Sequence, residues 1–310
     1  MQSTHLAIEI GGTKLQLALG DASGAIHERV RADVDRSQGA NGIRSRIEET
    51  VVPAMAAHSL RGVGVGFGGP VDWRTGQICC SHHVEGWADF PLAQWLRSLT
   101  HLPVSVDNDA NVAALGEAVM GAGRGQDPVF YTTLGSGVGG GLVVGGRIYH
   151  GAIPGEAELG HVRLDRQGAT VESRCSGWAV DRKIRALKAR RPESLLHRLI
   201  GATEGGEARF IGAALEQGDP DARAILQETA EDLAFGLSHV SHLFHPATVV
   251  LGGGLALLGE PLRAAVAQAL PGFLMEAFKP GPAVVLAELR EDAVPVGALL
   301  LAAAAAAADR

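Results

Sequence analysis

The stretch Ile8-Glu9-Ile10-Gly11-Gly12-Thr13-Lys14-Leu15-Gln16-Leu17 places two glycines and a threonine between two apolar strands. A second stretch of the same kind lies far along the chain, Thr132-Thr133-Leu134-Gly135-Ser136-Gly137-Val138-Gly139-Gly140-Gly141-Leu142-Val143-Val144. Glycine tolerates positive φ and lets backbone N–H groups approach a ligand closely, and N–H groups beside a small hydroxyl form a cradle for anionic oxygen. Two such hairpins predict a duplicated domain that holds one polyphosphate between its halves.

Each hairpin taken alone also has a purely structural interpretation, because glycine in a strand pair commonly marks a bulge or a tight turn. Two common phosphate-binding motifs are excluded by the sequence. A Walker A loop requires Gly-Lys-Ser/Thr, and none of the four lysines follows a glycine. The fingerprint Gly-x-Gly-x-x-Gly occurs at 64–69 and 135–140, but neither match runs into the helix that a Rossmann unit requires.

Length and composition bound the possible functions. With 310 residues the chain can bury a large core and is expected to form two domains, and its 42 glycines are about twice the ordinary share. A net charge of −7 without any basic block argues against nucleic-acid binding. The start has no basic-then-apolar leader and the three cysteines suggest no disulfide framework, so we expect a cytoplasmic protein. The alanine-rich tail at 293–308 contains Pro295 and Gly297, and we expect it to be too short and too weakly apolar to span a membrane.

The predicted secondary structure runs through nearly the same order twice. Three strands are expected to open each half, at 5–10, 14–20 and 25–31 and again at 129–134, 141–144 and 147–149. Helices and strands then alternate. The helices include an amphipathic run at 221–244, whose apolar residues recur at steps of four and three, and a run at 260–278. This repeated order is that of the actin-like, ribonuclease-H-like ATPase fold, in which two similar α/β domains flank a cleft.

Five stretches give the chain a resemblance to the ROK family, whose members are sugar kinases and sugar-responsive repressors. In chain order they are Ile10-Gly11-Gly12-Thr13-Lys14, Gly66-Phe67-Gly68-Gly69-Pro70-Val71-Asp72, Asp107-Asn108-Asp109-Ala110-Asn111, Gly135-Ser136-Gly137-Val138-Gly139-Gly140-Gly141 and Leu251-Gly252-Gly253-Gly254. A sixth, Ala157-Glu158-Leu159-Gly160-His161, resembles the family's Gly-Glu-Ile-Gly-His sugar motif less closely. Repressors of the family carry an N-terminal helix-turn-helix, whereas the first strand here is predicted at His5, so we expect no DNA-binding domain.

The resemblance implies an ATP- and Mg²⁺-dependent hexose kinase of carbohydrate metabolism, glucokinase-like, with the primary hydroxyl O6 of glucose as the expected acceptor. Such an enzyme needs a carboxylate to take the proton of the attacking hydroxyl. Asp109 follows a short predicted strand, opens a predicted helix and matches the family's catalytic position. The alternative is that Asn108 or Asp109 caps that helix. Capping and catalysis are compatible, because one of these two adjacent residues can cap the helix while the other reaches the sugar.

The resemblance also assigns the binding residues. The expected sugar contacts are Gly69, Asn108, Asp109, Glu158, His161 and Glu172. The expected phosphate contacts are Gly11, Gly12, Thr13, Lys14, Gly135, Ser136 and Gly137, with the adenosine near Gly253 and Gly254. The small N-terminal domain is expected to cover 1–120, completed by the C-terminal helix 293–310. The larger domain, at 121–292, is expected to contribute the contact of a homodimer, with no nucleic-acid or membrane partner.

Two departures from the family pattern bear on metals. Most members hold a structural zinc through one histidine and three cysteines, but the interval 162–171 between His161 and Glu172 contains no cysteine. Since structural zinc requires four nitrogen or sulfur ligands, we expect no zinc and a loop ordered by packing on Trp178. Glu9 stands where the family has the aspartate that helps hold hydrated Mg²⁺, and Mg²⁺ is strict about octahedral geometry. These departures keep two alternatives open, a non-catalytic sugar-binding regulator and a kinase for N-acyl or other sugars.

Overall fold

The chain divides into two compact units. The computed structural model describes residues 4–12, 14–81, 84–153, 155, 157–188 and 190–309. The first unit comprises residues 1–125, 141–157 and 291–310, and the second comprises residues 126–140 and 158–290.

The first half of the chain forms a five-stranded sheet. Its elements are β1 (Thr4–Ile10), β2 (Lys14–Asp21), β3 (Ile26–Asp33), α1 (Gly39–Ala57), β4 (Leu60–Phe67), β5 (Val71–Asp72), β6 (Gln77–Ile78), α2 (Leu92–Thr100), β7 (Val104–Asn108) and α3 (Asp109–Met120). The strand order is β3-β2-β1-β4-β7, and β5 with β6 forms a separate ribbon. The first three strands make an antiparallel meander, whereas β4 and β7 run parallel to β1.

The second half repeats this arrangement. Its elements are β8 (Val129–Leu134), β9 (Val138–Val144), β10 (Arg147–Ile148), α4 (Val171–Cys175), α5 (Gly177–Lys188), α6 (Leu195–Ile200), α7 (Ile211–Glu216), α8 (Pro220–Phe244), β11 (Thr248–Gly252), α9 (Glu260–Ala269), β12 (Ala283–Leu286) and α10 (Ala293–Ala308). The strand order is β10-β9-β8-β11-β12, with β11 parallel to both β8 and β12. A meander followed by two parallel strands, present twice, is the order that the sequence predicts.

One predicted helix is shorter than expected. The run at 260–278 was expected to be a single helix, but α9 ends at Ala269 and two short 3-10 turns follow, Leu270–Phe273 and Glu276–Phe278. The prediction was wrong because Pro271 has no N–H to donate and Gly272 is the weakest helix former after proline.

The alanine-rich helix α10 packs inside the first unit. Glycines let the backbones touch: a methyl group at Gly64 of β4 would collide with the carbonyl of Ala298, and one at Gly297 would collide with the carbonyl of Val112. The sequence predicted that this tail is too short and too weakly apolar for a membrane. That prediction was wrong, because the helix at 290–308 is long enough and apolar enough to span one, judged by length and composition alone. Its apolar composition is explained by packing, because Ala298 is completely buried.

Segment 141–157 belongs to the first unit, whereas the sequence placed it in the larger domain. The contact that accounts for this is between β9 and α3. A Cβ at Gly141 would lie 2.6 Å from the Cβ of Ala114 and 2.9 Å from the carbonyl oxygen of Ala110. Only glycine allows that approach.

Candidate active site

Three of the sequence motifs meet at one edge of the first sheet. Ile10 at the end of β1 lies opposite Phe67 at the end of β4, and Phe67 lies opposite Asn108 at the end of β7. The motifs' loops therefore leave neighbouring parallel strands at the same level. Ligands of α/β proteins bind at the carboxyl ends of such strands. The first-unit part of the candidate site lies at this edge.

Asn108 takes the capping role that the sequence left open between Asn108 and Asp109. Asn108 is the N-cap of α3: its Oδ1 accepts from the N–H of Ala110 at 2.9 Å and of Asn111 at 3.4 Å, and its Nδ2 donates to the carbonyl of Gly69 at 3.1 Å. Asp109 is the first residue of α3 and is half-buried. Its side chain therefore lies at the N-terminal end of the helix, where negative charge is stabilising.

The loop beside Asp109 is held by backbone bonds. Gly68 donates its N–H to the carbonyl of Ile10 at 2.8 Å, and a Cβ at Gly68 would lie 3.3 Å from Oδ2 of Asp109. A proline at this position would lack that N–H. Gly68 thus keeps a hydrogen bond to β1, and its lack of a side chain avoids a tight contact with the Asp109 carboxylate.

The buried Asp107 contacts His150, which belongs to the sequence-distant segment 141–157. Asp107 accepts from the N–H of Asn108 at 2.8 Å and from Nδ2 of Asn111 at 3.0 Å, and its Oδ2 lies 2.6 Å from Nε2 of His150. The His150 ring stacks on Trp73 with a centroid distance of 4.1 Å. Sequence reasoning missed His150 and Trp73, because their proximity arises only from the folding of segment 141–157 onto the first unit.

Glu9 has the cationic partner that a buried carboxylate requires. Its Oε1 lies 3.2 Å from Nζ of Lys14, and its Oε2 accepts from Nε2 of Gln16 at 3.0 Å. The Gln16 side chain in turn accepts from Nε of Arg31 at 2.6 Å. Burial raises the pKa of the Glu9 carboxyl, and Lys14 opposes that rise. Of the predicted phosphate contacts in this hairpin, Thr13 lies outside the described residues.

In the second unit, the other glycine hairpin meets the predicted adenosine glycines. A Cβ at Gly253 would lie 2.5 Å from the backbone nitrogen of Leu134, so the chain after β11 touches the end of β8. The hairpin itself is closed by Gly135, which donates to the carbonyl of Gly137 at 2.9 Å. The N-terminus of α5 lies against it, with Gly177 donating to the carbonyl of Gly135 at 2.7 Å. A helix N-terminus beside a glycine hairpin is a favourable environment for phosphate.

A cavity of about 430 Å³ opens next to this hairpin. Its lining includes Gly135, Ser136, Trp178, Arg209, Gly254 and Leu257. Trp178 is 53% exposed and is one of these lining residues. The sequence predicted that Trp178 orders the sugar loop, whereas the structure places it at this cavity. The cavity has the size of a typical small-molecule site.

Two carboxylates hold the segment 206–208, which borders the cavity. Asp181 of α5 accepts from the N–H of Gly206 at 3.1 Å and of Ala208 at 2.8 Å. Glu207 is buried and receives both Nε and a terminal nitrogen of Arg185, at 2.6 and 2.8 Å. Hydrogen bonding to Arg185 lowers the pKa of Glu207 to about 2, so this pair persists at every pH near neutrality. Sequence reasoning missed these contacts, since their residues match no motif.

The predicted sugar residues of the second unit gather around one residue of the same hairpin, Val138. Glu172 accepts from the N–H of Val138 at 2.9 Å. Only glycine fits at position 160, because a methyl group there would collide with the carbonyl of Val138. Glu158 and His161 flank Gly160, with their carboxylate and imidazole 3.9 Å apart and their side chains 48% and 76% exposed. The sugar motif and Glu172 are thus both attached to the start of β9.

Comparisons with known proteins agree with this geometry. A family model, the ROK family, matches residues 5–305. The glucokinase of Thermotoga maritima is 32% identical over 301 residues, which cover 94% of this chain and 95% of that one. A ROK family glucokinase from Streptomyces griseus, solved in complex with glucose and AMPPNP, superposes with a TM-score of 0.84 at 31% identity over 97% of this chain and 99% of that one. The N-acetylmannosamine kinase of Escherichia coli is 31% identical over 304 residues, 96% of this chain and 98% of that one.

The resemblance drawn from the motifs and the predicted fold are both confirmed by these matches. They extend along nearly the whole length of each partner, so they cover both units of this chain. With its motifs at the strand ends and the family model matched from residue 5 to residue 305, the chain belongs to the ROK family.

Proposed function

We propose that the protein is an ATP-dependent sugar kinase that transfers the γ-phosphate to glucose at O6. The observation that carries the proposal is the position of Asp109, a half-buried carboxylate at the first turn of α3, next to Gly68, which has no side chain to contact it. The glucokinase relatives along the whole chain support glucose as the acceptor.

In the proposed mechanism, Asp109 accepts the proton of the sugar hydroxyl as that oxygen attacks phosphorus. A positioned general base contributes about 10²- to 10⁴-fold to such reactions. Asn108 cannot serve as the base, because its amide has no acidic or basic function and its Oδ1 caps α3. Its role is to hold Gly69 in place, and we propose that Gly69, Asn108, Glu158, His161 and Glu172 bind the sugar hydroxyls.

The second unit is proposed to bind ATP as the phosphoryl donor. The cavity beside Trp178 and Gly254 would hold the adenosine, and the Ser136 hydroxyl with the hairpin amides of Ser136 and Gly137 would face the phosphates. The hairpin of Gly11, Gly12, Thr13 and Lys14 is the corresponding phosphate contact of the first unit.

The residues around Glu9 fit a hydrated Mg²⁺. Its carboxylate contacts Lys14 and Gln16 through one oxygen each, and every carboxylate oxygen can accept a second hydrogen bond. Glu9 would thus hold the ion through its water shell, which tolerates the extra methylene relative to aspartate. When bound, Mg²⁺ neutralises negative charge on the phosphates. Lys14 keeps the Glu9 carboxylate in place for this role.

A second candidate substrate is an N-acyl hexosamine, favoured by the similarity to the Escherichia coli N-acetylmannosamine kinase. A panel assay of ADP release with glucose, mannose, N-acetylmannosamine and N-acetylglucosamine decides between them. We expect the highest kcat/KM for glucose. Highest activity on an N-acyl sugar would reassign the substrate, and sugar binding without ADP release would instead establish a non-catalytic regulator.

We also propose that the protein works as a cytoplasmic homodimer. Cys79, Cys80 and Cys175 are in the reduced thiol form, which suits a reducing compartment. Light scattering coupled to size exclusion tests the dimer, which a mass near the 32.1 kDa of one chain would contradict.

Replacing Trp178 by Ala is expected to raise the KM for ATP roughly tenfold, because base–aromatic stacking contributes about 1–3 kcal/mol per base. The kcat and the KM for glucose should change little. Steady-state kinetics with ATP varied at saturating glucose measures the effect. The matched control is Leu243→Ala, which truncates an apolar side chain of α8 that is 76% exposed. Equal ATP KM values for the two variants would remove Trp178 from the nucleotide site.

A further inference from the structure

The segment between His161 and Glu172 forms a closed hairpin. Leu164 donates to the carbonyl of Ala169 at 2.8 Å, and Val171 donates to the carbonyl of Val162 at 3.0 Å. A β-bridge joins Arg163 to Thr170 between these two bonds. The hairpin 162–171 therefore ties the end of the sugar motif directly to α4, which carries Glu172.

One carboxylate organises the tip of this hairpin. Oδ1 of Asp165 accepts the N–H groups of Gln167, Gly168 and Ala169, at 2.8, 2.8 and 3.0 Å. Gly168 takes a φ of 110°, which an L side chain rarely adopts, so the turn requires glycine there. The hydrogen bond from Ala169 and those from its two neighbours lower the pKa of the Asp165 carboxyl, which is the expected effect of N–H donors on an ionised acceptor.

The base of the hairpin is anchored to the second unit by packing. Val171 is completely buried, and a Cβ at Gly236 of α8 would lie 2.6 Å from its Cγ2. Thr170 and Ser173 form a capping box at the start of α4. The base of the hairpin is thus joined to α4 and packed on α8, and Asp165 closes its tip at residues 165–169.

These residues do not fit the zinc that most members of the family hold in this segment. Within the described ranges no group of three histidine, cysteine, aspartate or glutamate side chains could hold a metal ion. Cys175, the nearest cysteine along the chain, is buried, its thiol contacts the carbonyl of Thr229, and burial raises its pKa to about 12. A thiol that stays protonated is a poor metal ligand.

We propose that Asp165 organises this segment in place of a metal and thereby acts as a positioning residue for the sugar site, by closing the hairpin that holds His161 and Glu172 at a fixed separation. The expected effect on sugar affinity rests on the proposed function, whereas the ordering of the hairpin by Asp165 does not. Asp165 itself points its Oδ1 at the turn amides and has no role in the chemical step.

The test compares Asp165→Ala with Asp165→Asn, which retains the accepting oxygen, and with Asp35→Ala. Asp35 is a matched control because its Oδ1 accepts the N–H of Ser37 at 3.0 Å in an exposed turn of the first unit. We expect Asp165→Ala to raise both the KM and the calorimetric Kd for glucose roughly tenfold, with kcat and the KM for ATP within about twofold. Asp165→Asn should stay close to wild type, as should Asp35→Ala.

Hydrogen exchange of the amides of residues 167–169 is measured in parallel, because it does not depend on activity. Asp165→Ala should exchange these amides faster, Asp165→Asn should not, and elemental analysis of the wild type should find no stoichiometric zinc. Unchanged exchange, an unchanged glucose Kd in an active enzyme, or about one zinc per chain would each overturn the inference. A wild type that neither binds nor phosphorylates glucose would refute the proposed function instead, and the exchange data would still decide the role of Asp165.

Discussion

Asp109→Asn is expected to lower kcat by about 10²- to 10⁴-fold, the usual contribution of a general base. The change is nearly isosteric and removes the negative charge together with the ability to take a proton. The cap of α3 is made by Asn108, so the helix should keep its start and the melting temperature should stay near that of wild type. The calorimetric Kd for glucose should change by less than about tenfold, since an amide can still hydrogen-bond the hydroxyl.

The control for Asp109→Asn is Glu260→Gln. Glu260 is also a carboxylate in the first turn of a helix, α9, and it pairs with Arg263 at 2.6 Å. Its loss removes a first-turn charge without touching the candidate site, so kcat should stay at the wild-type value. If Asp109→Asn also turned over within a few-fold of wild type, Asp109 would have no part in proton transfer.

Glu9→Gln is expected to reduce kcat by about 10- to 100-fold, the range found when a group that orients the shell of a metal is replaced. The Mg²⁺ concentration for half-maximal rate should rise, whereas glucose affinity should hardly change. The physical reason is charge: Glu9 and Lys14 form a pair 3.2 Å apart, and glutamine leaves an unneutralised lysine where the carboxylate served the hydrated ion. Initial rates across a Mg²⁺ titration measure both quantities.

Glu9→Asp distinguishes the effect of removing the charge from the effect of shortening the side chain. It restores the family's residue and keeps the carboxylate, but shortens its reach toward Lys14 and Gln16. We expect it to retain most of the activity that Glu9→Gln loses. Indifference of the rate and of the Mg²⁺ requirement to both substitutions would contradict a metal role for Glu9. A gain of activity in Glu9→Asp over an inactive wild type would instead favour the regulator.

The fold was predictable because its determinants are local. Apolar strands ending in glycine at Ile10 and Leu134, and the spacing of the remaining strands, sufficed to predict two repeated halves, and the register of Ile10, Phe67 and Asn108 follows from strand order. The family and the kinase class were predicted by the motifs, and both are confirmed by the comparisons. The need for a cation near Glu9 was also predictable, because a buried carboxylate requires one.

What the sequence did not predict depends on contacts between distant segments. The stack of His150 on Trp73 and the ion pair of Arg185 with Glu207 join residues that carry no motif. The position of Trp178 at the cavity was not predicted, because the sequence near a loop does not indicate which side of α5 an aromatic residue occupies. The turn made by Asp165 could have been predicted from its local sequence, because an aspartate precedes a glycine by three residues at Asp165 and Gly168. From the sequence, that interval was interpreted only for its lack of cysteine. The roles of the sugar and phosphate contacts stay predictions.

The most direct test of glucose phosphorylation is phosphorus NMR of a reaction containing the purified wild type, glucose, ATP and Mg²⁺. We predict that ADP and glucose 6-phosphate appear in equal amounts, and that ADP formation falls to background when glucose is omitted. Glucose binding detected by calorimetry, with no ADP and no sugar phosphate formed, would contradict the assignment of a kinase.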